Sequence, residues 1–201
     1  MATRKAPQST LVLLVRHGAT PTTGRVMPGR APGLHLSEAG QAQAAAVAER
    51  LATLKLDAIY TSPLERARET AAPTAAATGL TPIEEPGLLE ADVGEWTGKT
   101  LGSLARLKEW SGVHGSPSTF RFPGGESLAD QQRRVLAALR DVARDGRPAL
   151  LVTHGGSIRL TRCFLGGRGV AAFHDTKTVN AVVDEVSAEG LEARVTAFLA
   201  G

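Results

Sequence analysis

Apolar positions in this chain come in short unbroken runs separated by long segments in which they recur every three or four residues. Leu11 to Val15 is one such run, β-branched at Val12 and Val15, and it stops abruptly at Arg16, His17 and Gly18. A run of that kind reads as a strand of a parallel sheet, buried on both faces, with Arg-His-Gly at its carboxyl end. A loop rich in Gly and Pro follows from Ala19 to about Leu36, after which Ser37 can cap an alanine-rich helix running to about Leu54. Leu56 to Thr61 reads as the second strand. The stretch SPLE then predicts a helix with Ser62 at the N-cap, Pro63 at the first helical position and Glu65 closing a capping box, which puts Arg66 in the first turn.

Thr81 to Glu85 is a short edge strand between prolines, and Thr97 to about Trp110 a short helix. The stretch from Gly112 to Gly125 is a long loop, either a lid offering His114, Arg121 or Phe122 or solvated filler. Ser127 with Asp130 starts a helix whose residues Leu128, Val135, Leu136, Leu139 and Val142 keep helical spacing up to Gly146. Ala149 to Thr153 is a buried strand ending in His154, Gly155 and Gly156, with a helix from Ser157 to Leu165 behind it. Ala181 to Val186 and Leu191 to Phe198 read as an outer pair of strands joined near Glu189 and Gly190. Strands alternating with helices predict a three-layer α/β/α sandwich with a mostly parallel central sheet. Residues 1–9 read as a tail and 10–201 as one domain.

Composition narrows the function. With 42% apolar and 21% charged residues among 201, neither disorder nor a membrane protein is indicated. No apolar run approaches the roughly 20 residues that span a bilayer. The polar start lacks the apolar core of a signal peptide, and Cys163 is the single cysteine, so a cytoplasmic location and no disulfide are expected. Cys163 itself reads as a buried small apolar residue. Net charge is +3 with the basic residues dispersed, which argues against nucleic acid and against a membrane surface. No metal or other cofactor is expected.

Ligands of open α/β sheets bind at the carboxyl edge of the strands. Three strand–helix junctions bring Arg16 and His17, Arg66, and His154 to that edge, and the loop from Leu88 to Gly98 can carry Glu90 to it. Guanidinium forks and an imidazole suit a phosphoryl group, and a carboxylic acid is then needed to protonate the leaving oxygen. Arg68 reads as a solvated charge pairing on its own helix with Glu65 or Glu69. Trp96 reads as packing beneath the Glu90 loop, and His35 and His174 as surface or structural residues.

These pieces occur in order: LVRHG at 14–18, SPLERARETA at 62–71, LLEADVGEWTG at 88–98, FPGGES at 122–127 and LLVTHGG at 150–156. The chain thereby resembles the histidine phosphatase superfamily, also called the phosphoglycerate mutase-like family. The resemblance implies that His17 is the nucleophile that becomes phosphorylated and Glu90 the proton donor. Arg16, Arg66 and His154 would clamp the phosphoryl oxygens, with Gly155 beside them. Where the family often has Glu or Gln after the first RHG, this chain has Ala19; in place of an Asn a few residues on it offers Thr22 or Thr23, and Thr23 is taken as a phosphate contact. Arg25, Arg30 and Arg121 are candidates for a second anionic group of the substrate.

The function implied is a metal-independent phosphatase acting on a small phosphorylated metabolite. A cofactor-dependent phosphoglycerate mutase is the first alternative, less favoured because no basic run stands near residues 112–120. An inactive relative that binds phosphorylated ligands or a protein is the second, opposed by the presence of both nucleophile and acid. The outer strand near the C-terminus could pair across a homodimer.

Overall fold

The computed structural model describes residues 11–178, 180, 183–187 and 191–200. Five strands form one sheet in the order β3-β2-β4-β1-β5: β1 (Leu11–Arg16), β2 (Ala58–Thr61), β3 (Ile83–Glu84), β4 (Ala149–Thr153) and β5 (Val183–Ser187). The first four run parallel, and β5 pairs antiparallel with β1, Leu13 lying opposite Glu185. The central pair, β1 and β4, is in register from Val12↔Ala149 to Arg16↔Thr153.

Alternation along β1 divides the core. Leu13 and Val15 meet Val47 and Leu51 of helix α1 (Glu38–Leu51) and Ala67 and Ala71 of α2 (Glu65–Thr78) on one face. Val12 and Leu14 face the other layer, built from Leu136 and Leu139 of α5 (Leu128–Arg144), Ile158 of α6 (Gly155–Leu165) and Leu191 and Val195 of α7 (Leu191–Ala200). The result is the expected three-layer sandwich. A third apolar cluster gathers at the carboxyl edge around Trp96, with Val113, Phe122, Leu128 and Phe173; α3 (Leu101–Leu104) supplies Leu104 and α4 (Trp110–Gly115) Val113.

The fold departs from the sequence reading at several points. Leu191–Ala200 is a helix, not a strand, because Leu191, Val195 and Phe198 fall on one helical face and pack on the sheet. The strand expected at Ala181–Val186 is met by β5 at Val183–Ser187, whereas residues 181–182, the turn at 188–190 and the 1–9 tail lie outside the described residues. No capping box opens α2: Leu64 holds the N-cap position without a side-chain bond, Ser62 Oγ lies 2.8 Å from His154 Nε2, and Glu65 accepts from Gly33 N instead. Ser127 and Asp130 do form one at α5. Within the helix expected over 97–110 stand α3 and, at its last residue, the start of α4, which takes the first residues of the expected 112–125 loop.

Candidate active site

The sheet edge is assembled by close backbone packing. Gly18 and Gly40 bring the turn after β1 against the start of α1 so tightly that a Cβ on Gly40 would lie 2.0 Å from Ala19 O, and one on Gly18 2.5 Å from Gly40 O. Gly18 N also donates to Thr70 Oγ1 at 2.9 Å, tying β1 to α2. This clamp fixes His17, which is 6% exposed.

The His17 ring is oriented by its own neighbour: Nδ1 lies 2.7 Å from Gly18 O. A carbonyl only accepts, so Nδ1 carries the proton and Nε2 keeps its lone pair. Asn180 Nδ2 donates to His17 O at 2.7 Å, holding the backbone from the far side. Burial, then the charges of Arg66 and Arg16, push the His17 imidazole down to about 3, so it is neutral at ordinary pH. The His154 ring stands 5.2 Å away at a tilt of 58° and is fully buried. Burial, followed by His17 and the arginines, holds it well below the ordinary histidine range as well.

Arg66 is completely buried in the first turn of α2. One terminal nitrogen donates to Gly29 O at 2.9 Å, whereas its Nε and other terminal nitrogen have no hydrogen-bond partner among the described residues. The same is true of Arg16 Nε and His154 Nδ1. Buried polar groups are nearly always paired, so four such atoms near one imidazole leave hydrogen-bonding capacity that an anion could use. Burial lowers the pKa of both arginines, and the Glu90 carboxylate acts against this.

Glu90 is held at the opposite side. Its Oε1 accepts from Gln131 Nε2 at 2.9 Å and from Ala91 N at 3.0 Å, and its Oε2 faces Gly156 N at 3.4 Å. A side chain on Gly156 would put Cβ 2.5 Å from that carboxylate. Glu90's backbone oxygen accepts from Arg30 Nε at 2.9 Å and from Arg134 at 3.4 Å, and Glu126 bridges both arginines at 3.0 and 2.7 Å while accepting from Asp92 N. A cavity of about 380 Å³ opens beside these groups, with Arg16, Glu90, Gly155 and Gly156 in its lining.

Arg16, His17, Arg66, His154, Glu90 and Gly155 are thus brought to one place. Four other candidates are not. Thr23 is exposed and accepts from Thr20 N at 2.8 Å, stabilising its own turn. Arg25 is exposed and donates to Pro21 O, and Arg121 is exposed and paired with Asp130 at 2.6 Å. None of these three lines the cavity. Arg30 is turned to Glu126 and the Glu90 backbone instead of to a ligand. Of the 112–125 stretch, Val113, His114 and Phe122 line the cavity.

Trp96 packs among Trp110, Phe120 and Phe122 beneath the Glu90 loop, and Cys163 is fully buried, as expected. Arg68 is half-exposed and pairs with Glu84, not with its helix neighbours. His35 is exposed and paired with Glu69. His174 donates from Nε2 to Val113 O at 2.8 Å and stacks on His114 at the cavity wall. Sequence reasoning missed Gln131, Glu126, Arg134, Ser62 and Arg159. For Gln131 a signal existed: with Gln132 it interrupts the apolar stripe of α5 between Leu128 and Val135, where a polar residue needs a reason.

The sequence profile of the histidine phosphatase superfamily (branch 1) matches residues 12–199. The chain belongs to the histidine phosphatase superfamily. This histidine phosphatase is 33% identical to phosphoserine phosphatase 1 of Hydrogenobacter thermophilus over 81% of its own length and 79% of that protein's. It is 38% identical to a probable phosphoglycerate mutase of Enterobacter sp. over 72% and 69% of the two chains. Its structure matches a mycobacterial glucosyl-3-phosphoglycerate phosphatase with a TM-score of 0.79 at 28% identity, covering 89% of this chain and 90% of the other. Among its described residues no helix is long and apolar enough to cross a membrane.

Proposed function

We propose that this histidine phosphatase hydrolyses a small phosphomonoester through a phosphohistidine on His17, with Glu90 as proton donor. The observation that carries this reading is a neutral, buried imidazole whose Nε2 lone pair is free, set among guanidinium nitrogens that have no partner among the described residues. Nε2 attacks phosphorus while the bond from phosphorus to the alcohol oxygen breaks, and Glu90 delivers its proton to that oxygen. Arg16, Arg66 and His154 hold the three phosphoryl oxygens as their charge redistributes. Glu90, now a carboxylate, takes a proton from water, which attacks phosphorus. The phosphorus–nitrogen bond breaks, releasing inorganic phosphate and a neutral His17. The arginines meet the charge of the phosphoryl group, so the scheme uses no metal.

The test is phosphate release from a panel of phosphomonoesters, without added metal, by the wild type, His17→Ala and Glu90→Gln. His17→Ala is expected to be inactive, and Glu90→Gln to lose roughly 10²–10⁴ in kcat. An acid-labile, alkali-stable phosphoenzyme is expected in the wild type; turnover by His17→Ala would refute the mechanism. Transfer back to substrate, as a mutase performs, is the second reading, prompted by the likeness to the Enterobacter protein. Conversion of 3- to 2-phosphoglycerate with a bisphosphorylated primer distinguishes it.

A further inference from the structure

One charged side chain of the cavity has no task in the reaction scheme. Among the described lining residues, those with formal charge at neutral pH are Arg16, Glu90 and Arg159. Arg16 and Glu90 belong to the reacting end. The phosphoryl group is already provided for there: Arg16 Nε, two nitrogens of Arg66 and His154 Nδ1 are buried without partners among the described residues, four nitrogens for three phosphoryl oxygens. Arg159 stands apart from that set. It follows Gly155 by four residues on α6, which carries it about 6 Å along the helix axis. Its guanidinium lies over the Phe173 ring at 5.5 Å, and among the described residues it has no ion pair and no hydrogen bond, its Nε being buried as well as unpartnered. Its charge lowers the pKa of Arg16 and of His174, so it adds to a positive field in place of being cancelled. Stacking on an aromatic face leaves the edge of a guanidinium for an oxyanion. Trp110, His114, His174 and Thr178 add polar groups to the same lining, and Met27 and Val113 add apolar surface. Beside such surface a charge pair is stronger than in open water.

Resting on the phosphatase reading, we propose that the substrate is a phosphomonoester whose alcohol carries a second oxyanion, held by Arg159. A cavity of roughly 150 Å³ is enough to hold benzene. At about 380 Å³ this one has room for a short carbon chain between two anionic groups. A neutral alcohol would leave the Arg159 guanidinium without a counter-charge, whereas a carboxylate or a second phosphate meets it with paired N–H donors. Arg159 is thereby the specificity element, and the reacting phosphoryl group stays with Arg16, Arg66 and His154.

Two matched pairs of alkyl esters make the test. 3-Phosphoglycerate and glycerol 3-phosphate differ by a carboxylate against a hydroxymethyl group; propane-1,3-diol bisphosphate and 3-hydroxypropyl phosphate differ by the second phosphate. Hydrolysis of p-nitrophenyl phosphate, with His17→Ala as control, tests the phosphatase reading separately. The expected result is a kcat/KM at least about tenfold higher for the anionic member of a pair, and the pair that shows it names the oxyanion. Arg159→Met, which keeps a side chain against Phe173 and loses the charge, is expected to cut that ratio to about threefold or less, and Arg159→Lys to retain part of it. The ratio is taken within one variant, so a general loss of activity cancels, and Arg159→Lys keeps the test readable if Arg159→Met does not fold. No preference in either pair, with p-nitrophenyl phosphate hydrolysed through His17, would remove the second oxyanion and leave the phosphatase standing. A ratio unchanged in both variants would overturn the role of Arg159. Absence of His17-dependent release from every ester would overturn the phosphatase reading, and the inference with it.

Discussion

The proposed role of His17 as nucleophile at neutral pH rests on surroundings that disfavour the imidazolium. A free imidazole with a pKa of about 6.5 is roughly nine-tenths protonated at pH 5.5 and would then be useless for attack. Burial and the charges of Arg66 and Arg16 move that transition down to about 3. Nitrogen-15 NMR of the imidazoles is accordingly expected to show His17 as the neutral Nδ1–H tautomer from pH 7.5 to pH 5. A midpoint near 6.5 would contradict the assigned environment. At this scale much of the placement was readable: Arg16, His17, Arg66 and His154 are each at the end of a buried run or the start of a helix, and Glu90 lies in the loop the sequence marked between Leu88 and Gly98. Thr23, Arg25 and Arg121 were not readable, since they lie in loops whose course depends on bonds to Thr20, Pro21 and Asp130 that no periodicity encodes.

Elements, not single residues, position Glu90, the proposed proton donor. Glu90 sits in a loop without regular structure, and what holds that loop is a charge network from two other segments: Arg30 after β1, and Glu126 with Arg134 at the start of α5. Glu126→Ala leaves two half-buried arginines without their shared carboxylate, which is expected to destabilise the fold by roughly 1–3 kcal/mol. It should also lower kcat about tenfold or more with a smaller change in KM, because it misplaces the Glu90 backbone without removing a phosphate ligand. Glu126→Gln, which keeps one acceptor oxygen, should recover part of kcat; an unchanged kcat in Glu126→Ala would exclude the positioning role. Gly40→Ala tests the other clamp. Its Cβ would meet Ala19 O at 2.0 Å, both atoms being backbone-bound, so a loss of about 1–3 kcal/mol in denaturant unfolding is expected. The helical reading of α7 escaped sequence analysis for a related reason. A segment of ten residues satisfies strand and helix patterns alike until the packing partner, here α5 and the sheet, selects one face.

The whole molecule pays for its active site in pH sensitivity. His17 and His154 are both neutral when folded, and the unfolded chain begins to protonate them near pH 6.5. Below that pH the unfolded state binds more protons, so stability falls with pH, and for His17 it continues to fall until the folded value of about 3 is reached. Each histidine contributes up to about 1.4 kcal/mol per pH unit in that window. Thermal unfolding is expected to show a falling Tm from pH 6.5 to pH 5, before most carboxylates protonate. The slope should be shallower in His17→Gln, and inorganic phosphate at fixed pH should raise Tm by binding only the folded form. A Tm independent of pH across that range would count against two buried neutral histidines.

The sequence by itself determined the layer architecture, the strands β1 to β4 with α1, α2, α5 and α6 between and after them, and the group of residues delivered to the sheet edge. These follow from local rules: unbroken apolar runs become buried strands, and what ends them lies at the carboxyl edge. Tertiary structure alone decided the state of His17, the orientation of Glu90 and the mixed lining of the neighbouring cavity. Each of those depends on groups far apart in the chain, such as Arg66 beside His17, Gln131 against Glu90, and Met27 and Phe173 in one lining. Burial and charge act through space, and only the folded chain sets the distances.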